Sequence, residues 1–123
     1  MNILRAAKQA TMRERYESQI LVEDTGFTVV DKNLPDDYVR TDEIIAIVAY
    51  KMDQIVADLI CCDVFTRSGK DELVRTVHEE MQGFDMLMRS FASLPGFDQE
   101  WWPKVVQPAF AKNRTVLYEV GLR

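Results

Sequence analysis

The residues best suited to catalysis in this sequence surround its single histidine, His78. Glu79 and Glu80 follow it directly, and a neighbouring carboxylate can hold an imidazole in place as a general base. The segment begins like the zinc-protease motif, but the second histidine is missing, so that zinc site cannot form. The alternative is a histidine that only ends a strand at the surface, and no catalytic residue is assigned.

Two aromatic residues, Trp101 and Trp102, are candidates for stacking on a bound molecule. Adjacent residues on a helix point about 100° apart, so one ring is expected to be buried and the other to lie at a rim. A small-ligand site would then lie between the sheet and the helices, near Tyr50, His78 and these two tryptophans. No metal and no cofactor is predicted to bind there.

The two cysteines, Cys61 and Cys62, are neighbours on a predicted strand. Neighbouring strand residues point to opposite faces, so a disulfide between them would strain the backbone. Buried, reduced thiols are therefore expected, in agreement with a reducing compartment. Another adjacent pair, Asp36 and Asp37, lacks EF-hand spacing and is expected to be solvated.

Length and composition predict one cytoplasmic domain. The chain has 123 residues, 47% of them apolar and 28% charged, which is ordinary for a single globular domain. No apolar run approaches the roughly 20 residues that cross a bilayer, and the N-terminus lacks the apolar segment of a signal peptide. We therefore expect a cytoplasmic protein that does not bind a membrane.

Charge is distributed unevenly along the chain. The net charge is −5, but residues 1–15 carry four Lys or Arg against one Glu and so contribute +3. This segment is expected to form an N-terminal helix or a flexible arm, and residues 16–123 to form a single α+β domain with a net charge of −8. An acidic domain argues against a nucleic-acid ligand and is compatible with a basic protein partner.

A predicted hairpin over residues 42–66 organises the rest of the domain. Two runs rich in β-branched residues flank a short polar break, which is the pattern of two strands joined by a turn. A two-residue turn at 53–54 would pair Ile47 with Ile60. Further elements are then expected to pack around these two strands.

Both faces of this hairpin are rich in apolar residues, so both are expected to be covered. Lys51 and Asp58 fall on one face, one diagonal step apart, close enough for an ion pair that fixes the register near the turn. The Trp-rich final segment would cover the second face, or two hairpins would bury each other in a homodimer. The predicted dimer interface consists of Val48, Tyr50, Ile55 and Leu59.

The remaining patterns predict an antiparallel β-meander of about six strands, with one amphipathic helix across a face and a second C-terminal helical segment. Apolar residues at helical spacing predict the first helix over 81–94. The second helical segment, 99–112, has Asp98 as its expected N-cap and should kink or break at Pro108. Further strands are predicted at 16–22, 27–31, 72–78 and 115–120, and a loop at 33–38.

Five segments carry a resemblance to a known group of proteins. They are IVAYK at 47–51, DLIC at 58–61, EEMQGF at 79–84, LPGF at 94–97 and PAFA at 108–111. The chain from about residue 16 to residue 120 resembles small uncharacterised bacterial proteins, and its strands followed by a helix are similar to a pleckstrin-homology-like domain. The resemblance implies a pleckstrin-homology-like fold, and it brings no catalytic residues to this chain. A second helical segment and a final strand depart from that plan, and a basic loop cluster of the kind that binds phosphoinositides is missing.

Two functions follow from these features as hypotheses. The first is a non-enzymatic protein-interaction module of the immunity or adaptor type, since the domain is acidic and no catalytic constellation is recognised. The second is a small-ligand-binding protein or an undescribed enzyme, whose pocket would lie near Tyr50, His78 and Trp101.

Overall fold

The computed structural model describes residues 18–53, 58–108 and 111–121. These residues form seven antiparallel strands in two sheets, two helices and a 3-10 turn at Thr41–Glu43, which confirms the predicted α+β class. The predicted N-terminal helix or arm over 1–15 lies outside the described residues. The strands are β1 (Gln19–Glu23), β2 (Gly26–Val30), β3 (Asp37–Arg40), β4 (Ile44–Asp53), β5 (Asp58–Ser68), β6 (Asp71–His78) and β7 (Thr115–Glu119), and the helices are α1 (Phe84–Phe91) and α2 (Trp101–Val106).

The three-stranded sheet, in the order β1-β2-β3, contains one strand that the sequence did not predict. Residues 33–38 were expected to be a loop, but β3 begins at Asp37, because Val39 pairs with Phe27 and both side chains are buried. Gly26 is required at this junction, since a Cβ atom there would lie 2.0 Å from the Val39 carbonyl oxygen. Burial of two apolar side chains therefore outweighs the turn-forming residues that precede them.

The four-stranded sheet has the order β6-β5-β4-β7 and is built on the predicted hairpin. Its register is displaced by four residues from the predicted one, since Ile47 pairs with Val64 rather than with Ile60. The two strands are separated by residues 54–57 instead of meeting at a two-residue turn. An even displacement keeps side chains on their predicted faces, because side chains alternate along a strand with a period of two.

One exception to this alternation lies at the start of β4. The register shifts between Ile44 and Ala46, which marks a β-bulge. Ile44 therefore joins the core face and is only 3% exposed, although the alternation placed it on the opposite face. Hydrophobic alternation cannot reveal such a bulge, because Ile44 and Ile45 are equally apolar.

One hydrophobic cluster joins residues of both sheets and both helices. Helix α1 packs against β1, and it begins three residues later than predicted, after Gly83. Gly83 adopts a φ of 94°, and a Cβ atom there would lie 2.1 Å from the Ile20 carbonyl oxygen, so the approach of β1 requires glycine. The buried side of α1 is the predicted one and consists of Phe84, Leu87, Met88 and Phe91.

Helix α2 is shorter than the predicted segment 99–112, because it ends two residues before Pro108. A kink or a break at Pro108 was predicted, since proline lacks the N–H group that a helix interior needs, and the structure has the break. The N-cap residue is Glu100 rather than Asp98, whose carboxylate accepts the backbone N–H of Glu100 at 2.9 Å. Neither described helix is long and apolar enough to cross a membrane.

An ion pair links the two sheets. Arg75 on β6 donates through Nε and Nη2 to the two carboxylate oxygens of Asp37 on β3, at 2.9 and 3.1 Å. Its third bond goes from Nη1 to the hydroxyl of Thr66, at 2.6 Å. Two parallel bonds fix orientation as well as distance, so this pair holds the edge strands together. Asp37 was expected to be solvated. Its side chain is 43% exposed, but its carboxylate is also bound by Arg75.

Candidate functional site

A buried ion pair anchors the end of the β4–β5 hairpin. The Lys51 ammonium lies 3.3 Å from the Asp58 carboxylate, which confirms the predicted cross-strand pair. The Lys51 side chain is only 2% exposed, and it also donates to the carbonyl oxygens of Val106, at 2.7 Å, and Pro108. Three acceptors match the three N–H groups of a lysine, so this charge is used within the fold and also fixes the end of α2.

A cleft of about 460 Å³ opens beside this ion pair. It lies where β4 runs next to the segment that leads into β7, since the Lys51 backbone N–H donates to the Lys112 carbonyl oxygen at 2.7 Å. Because Lys51 and Asp58 neutralise each other, the remaining two cations and one carboxylate leave a charge of +1, and we call the site the basic cleft. Its other lining residues include Tyr50, Met52, Asp63, Lys112 and Arg114.

Tyr50 has a fixed position in the wall of the basic cleft. Its hydroxyl donates to Asp63 Oδ1 at 3.1 Å, and the Thr76 hydroxyl donates to the same oxygen at 2.7 Å. The Lys112 ammonium lies 5.3 Å from the centre of the Tyr50 ring, in cation–π contact. Burial, together with the charge of Asp63, raises the pKa of Tyr50 to about 12. The phenol therefore stays protonated at neutral pH and keeps donating to Asp63.

Two of the four predicted ligand-binding residues share one face of the sheet. Tyr50 pairs with Cys61, and Cys61 pairs with His78, so the three side chains stand in one row across β4, β5 and β6. Both Cys61 and Cys62 are buried, unpaired thiols, as predicted. Burial and two nearby carboxylates raise the pKa of Cys61 to about 11, so it is not a thiolate nucleophile at neutral pH. His78 ends β6, and its Nδ1 accepts the backbone N–H of Glu80 at 3.3 Å.

The two predicted tryptophans lie on α2, away from Tyr50 and His78. Trp101 is half-buried and packs against the core cluster, which includes Ala49, whereas Tyr50 points to the other face of β4. Trp102 is 49% exposed, and its ring meets that of Trp101 edge-on, with centroids 5.4 Å apart. One ring is thus largely covered and the other lies at the rim, as expected. Among the described residues, Tyr50 lines the basic cleft, and neither tryptophan lines it.

The predicted dimer interface is largely buried within one chain. Val48 and Leu59 are only 3% and 6% exposed. Tyr50 is half-buried in the wall of the basic cleft, and Ile55 lies outside the described residues. The homodimer stays a prediction, and these side chains offer it little surface.

A second depression, of about 570 Å³, lies between the end of β6 and the first turns of α1. Its lining includes the carboxylates of Glu79, Glu80 and Asp85, the thioether of Met86 and one cation, Arg89; we call it the acidic groove. Met86 is 60% exposed. Sequence reasoning missed this site because Asp85 and Met86 lie off the apolar stripe of the helix, where side chains usually face solvent.

The acidic groove is attached to the same sheet as the basic cleft. The Glu79 backbone N–H donates to the Ile60 carbonyl oxygen at 3.0 Å, and its Oε1 accepts the Ile60 N–H at 2.8 Å. Ile60 pairs with Lys51 across β4 and β5. The two sites therefore lie at the same end of the four-stranded sheet, and their charges suit an anion in the cleft and a cation in the groove.

Within the described part of the chain, no group of three or more His, Cys, Asp or Glu residues is arranged to hold a metal ion. No protein-family model, curated protein or solved structure matches this chain. The pleckstrin-homology-like resemblance therefore stays a prediction, and function is inferred from the cleft and the groove.

Proposed function

We propose that this protein acts in the cytoplasm as a non-enzymatic protein-interaction module of the immunity or adaptor type. Its acidic groove receives a basic segment of a partner protein. The observation that supports this proposal is the presence of three carboxylates and an exposed methionine in one depression of about 570 Å³.

The charge of the described residues favours a basic partner. They hold ten Lys or Arg against eighteen Asp or Glu, a net charge of −8. Within the groove, three carboxylates outnumber the single guanidinium of Arg89, so the local charge is −2. A field of one sign steers an oppositely charged partner during encounter and makes the association rate sensitive to salt.

The walls of the groove are fixed by contacts to the rest of the fold. Two hydrogen bonds to Ile60 hold Glu79 in place. On the other side, the Ile20 backbone N–H donates to the Gln82 carbonyl oxygen at 2.7 Å, and Phe84 is 4% exposed at the start of α1. A preorganised surface loses little conformational entropy on binding, so a partner meets a Glu79 carboxylate that is already positioned.

Met86 gives the groove an apolar contact. Its side chain is 60% exposed on the outer side of α1, and a flexible, polarisable thioether adapts to the shape of a partner. Apolar contacts surrounded by polar groups are where interfaces concentrate their binding energy. The partner segment is therefore expected to carry Lys or Arg on both sides of an apolar side chain.

Two variants with the same change of charge test this proposal. The groove variant carries Glu79→Gln, Glu80→Gln and Asp85→Asn. The control variant carries Glu23→Gln, Asp36→Asn and Glu119→Gln, at exposed positions outside the groove. Each protein is used as bait in an extract of the source cells, and bound proteins are quantified by mass spectrometry.

We expect the wild type and the control to recover the same basic partner, and the groove variant to recover at least about tenfold less, equivalent to about 1.4 kcal/mol. Equal recovery by all three proteins would place the contact elsewhere, and recovery of no specific partner would contradict the proposal. Thermal melts of both variants check that they remain folded.

A homodimer is a second partner proposal, and it uses the face of the four-stranded sheet that carries Val48. Val74 and Val116 lie on this face and are 54% and 44% exposed, and a two-fold contact between two copies would bury them. Sedimentation equilibrium at micromolar concentration is expected to give twice the chain mass of 14.2 kDa. A mass of 14.2 kDa would contradict the dimer.

A further inference from the structure

The basic cleft is separate from the acidic groove, and the proposed partner contact does not use it. Its volume of about 460 Å³ lies within the range of roughly 300–1,000 Å³ that is typical of small-molecule pockets. It contains both charged and apolar groups. Such a mixture suits a small ligand with one polar end, because the polar groups orient the ligand and the apolar groups bury its body.

Two cations of the cleft take no part in the ion pairs of the described residues, although Lys112 also makes the cation–π contact with Tyr50. Within the described part of the chain, neither Lys112 nor Arg114 forms an ion pair, in contrast to Lys51, whose ammonium is fully engaged. Both side chains are exposed at the mouth of the cleft. The guanidinium of Arg114 matches the geometry of carboxylate and phosphate oxygens, and the ammonium of Lys112 adds a point charge. Together the two side chains favour an anionic group on the ligand.

The cleft also has apolar surface. The ring of Tyr50 is held by its hydrogen bond to Asp63, and Met52 is 46% exposed beside it. These two side chains offer a flat and a flexible surface to a ligand body. Asp63 also limits the charge that the cleft accepts, because a second anionic group on the ligand would approach its carboxylate.

We propose that the basic cleft binds a small molecule that carries one carboxylate or phosphate group next to an aromatic or apolar body. The anionic oxygens contact Lys112 and Arg114, and the body lies against Tyr50 and Met52. A phosphate ester and a carboxylic acid share this chemistry, and titration with one probe of each kind distinguishes between them.

The test is an NMR titration of the full ¹⁵N-labelled chain with three probes. Phenyl phosphate and benzoate combine an anion with a ring, whereas inorganic phosphate supplies the anion alone. We expect the two ring-bearing probes to shift the amide signals of 50–52 and 111–114, and inorganic phosphate to bind about tenfold more weakly because it lacks the apolar contact. The tighter of the two ring-bearing probes identifies the class of natural ligand.

A pair of variants assigns the binding to the two cations. The cleft variant is Lys112→Gln with Arg114→Gln, and its matched control is Arg67→Gln with Lys70→Gln, at exposed positions at the far end of the β5–β6 hairpin. We expect the cleft variant to bind the tighter probe at least about tenfold more weakly, and the control to bind it as the wild type does.

Two results would overturn the proposal. One is the absence of localised shifts with either ring-bearing probe up to about 10 mM, where a millimolar site would still be visible. The other is an equal loss of binding in the cleft and control variants, because diffuse charge would then explain the effect. Neither result bears on the acidic groove, whose residues are unchanged in these variants.

Discussion

The basic cleft and the acidic groove lie at one end of the same sheet, but they use charged residues in different ways. In the cleft, Lys51 is 2% exposed, and its ammonium is bound by Asp58 and two carbonyl oxygens. In the groove, Asp85 is exposed at the surface of α1, next to Met86. The first arrangement holds the hairpin to α2, and the second presents charge to solvent.

This difference shows that burial, rather than residue type, separates structural charges from charges available for binding. A buried charge that loses its partner remains desolvated, and this is costly. An exposed charge that loses its partner is solvated again at little cost. The loss of stability on removing one member of an ion pair should therefore become smaller as the exposure of the pair increases.

The largest effect is expected for Lys51→Met. This change should lower the free energy of unfolding by about 3–5 kcal/mol, because Asp58 and two carbonyl oxygens lose a buried donor. Urea denaturation measures the loss, and Lys70→Met, at an exposed turn, should stay within about 0.5 kcal/mol of the wild type. A loss below about 1 kcal/mol for Lys51→Met would show that its ammonium is effectively solvated.

An intermediate effect is expected for Asp37→Ala, which removes the partner of Arg75. The two side chains are 43% and 20% exposed, between the extremes of the other ion pairs. The free energy of unfolding should fall by about 1–3 kcal/mol, because a partly buried guanidinium loses two charge-assisted hydrogen bonds. The neighbouring change Asp36→Ala is the control, and equal losses for the two would argue against the link between the sheets.

A small effect is expected for Arg67→Gln. Arg67 and Glu72 form an ion pair at 3.2 Å, but their side chains are 55% and 57% exposed. Urea denaturation should show a loss of no more than about 0.5 kcal/mol. A loss comparable with that of Lys51→Met would contradict the dependence on burial.

The change Tyr50→Phe removes no charge at neutral pH, because the phenol is protonated there. Its effect on the charge balance is therefore expected to appear only at high pH. Burial and Asp63 raise its pKa to about 12, so the contribution of Tyr50 to stability is fully present below about pH 10, the ordinary value, and is lost as the pH rises toward 12. The absorbance of phenolate, followed as the pH is raised, should include a titration near pH 12 that is missing in Tyr50→Phe. Asp63→Asn should move that titration to lower pH, and an unchanged titration would exclude Asp63 as a cause.

The faces of the central strands could be predicted from the sequence, but their register could not. Alternation places Ile47 on the core face for any even displacement, so the pattern does not distinguish pairing with Ile60 from pairing with Val64. The strand β3 was missed because it is only four residues long and contains a single buried residue, Val39.

The candidate sites were only partly predictable. The ion pair of Lys51 and Asp58 follows from strand spacing, but the contact of Lys51 with Val106 joins residues 55 positions apart, which no local pattern encodes. Lys112 was assigned to a helical segment, and Arg114 lay between two predicted elements. The helix ends before Pro108, so both cations line the cleft beside β4.

The most direct test of the central claim uses two oppositely charged probes on one ¹⁵N-labelled sample. The first is a short peptide of lysine, arginine and leucine, and the second is phenyl phosphate. We expect the peptide to shift the amide signals of residues 79–89 and phenyl phosphate to shift those of residues 50–52 and 111–114. Shifts from both probes in the same residues, or no localised shift from either probe, would contradict the assignment of opposite binding roles to the groove and the cleft.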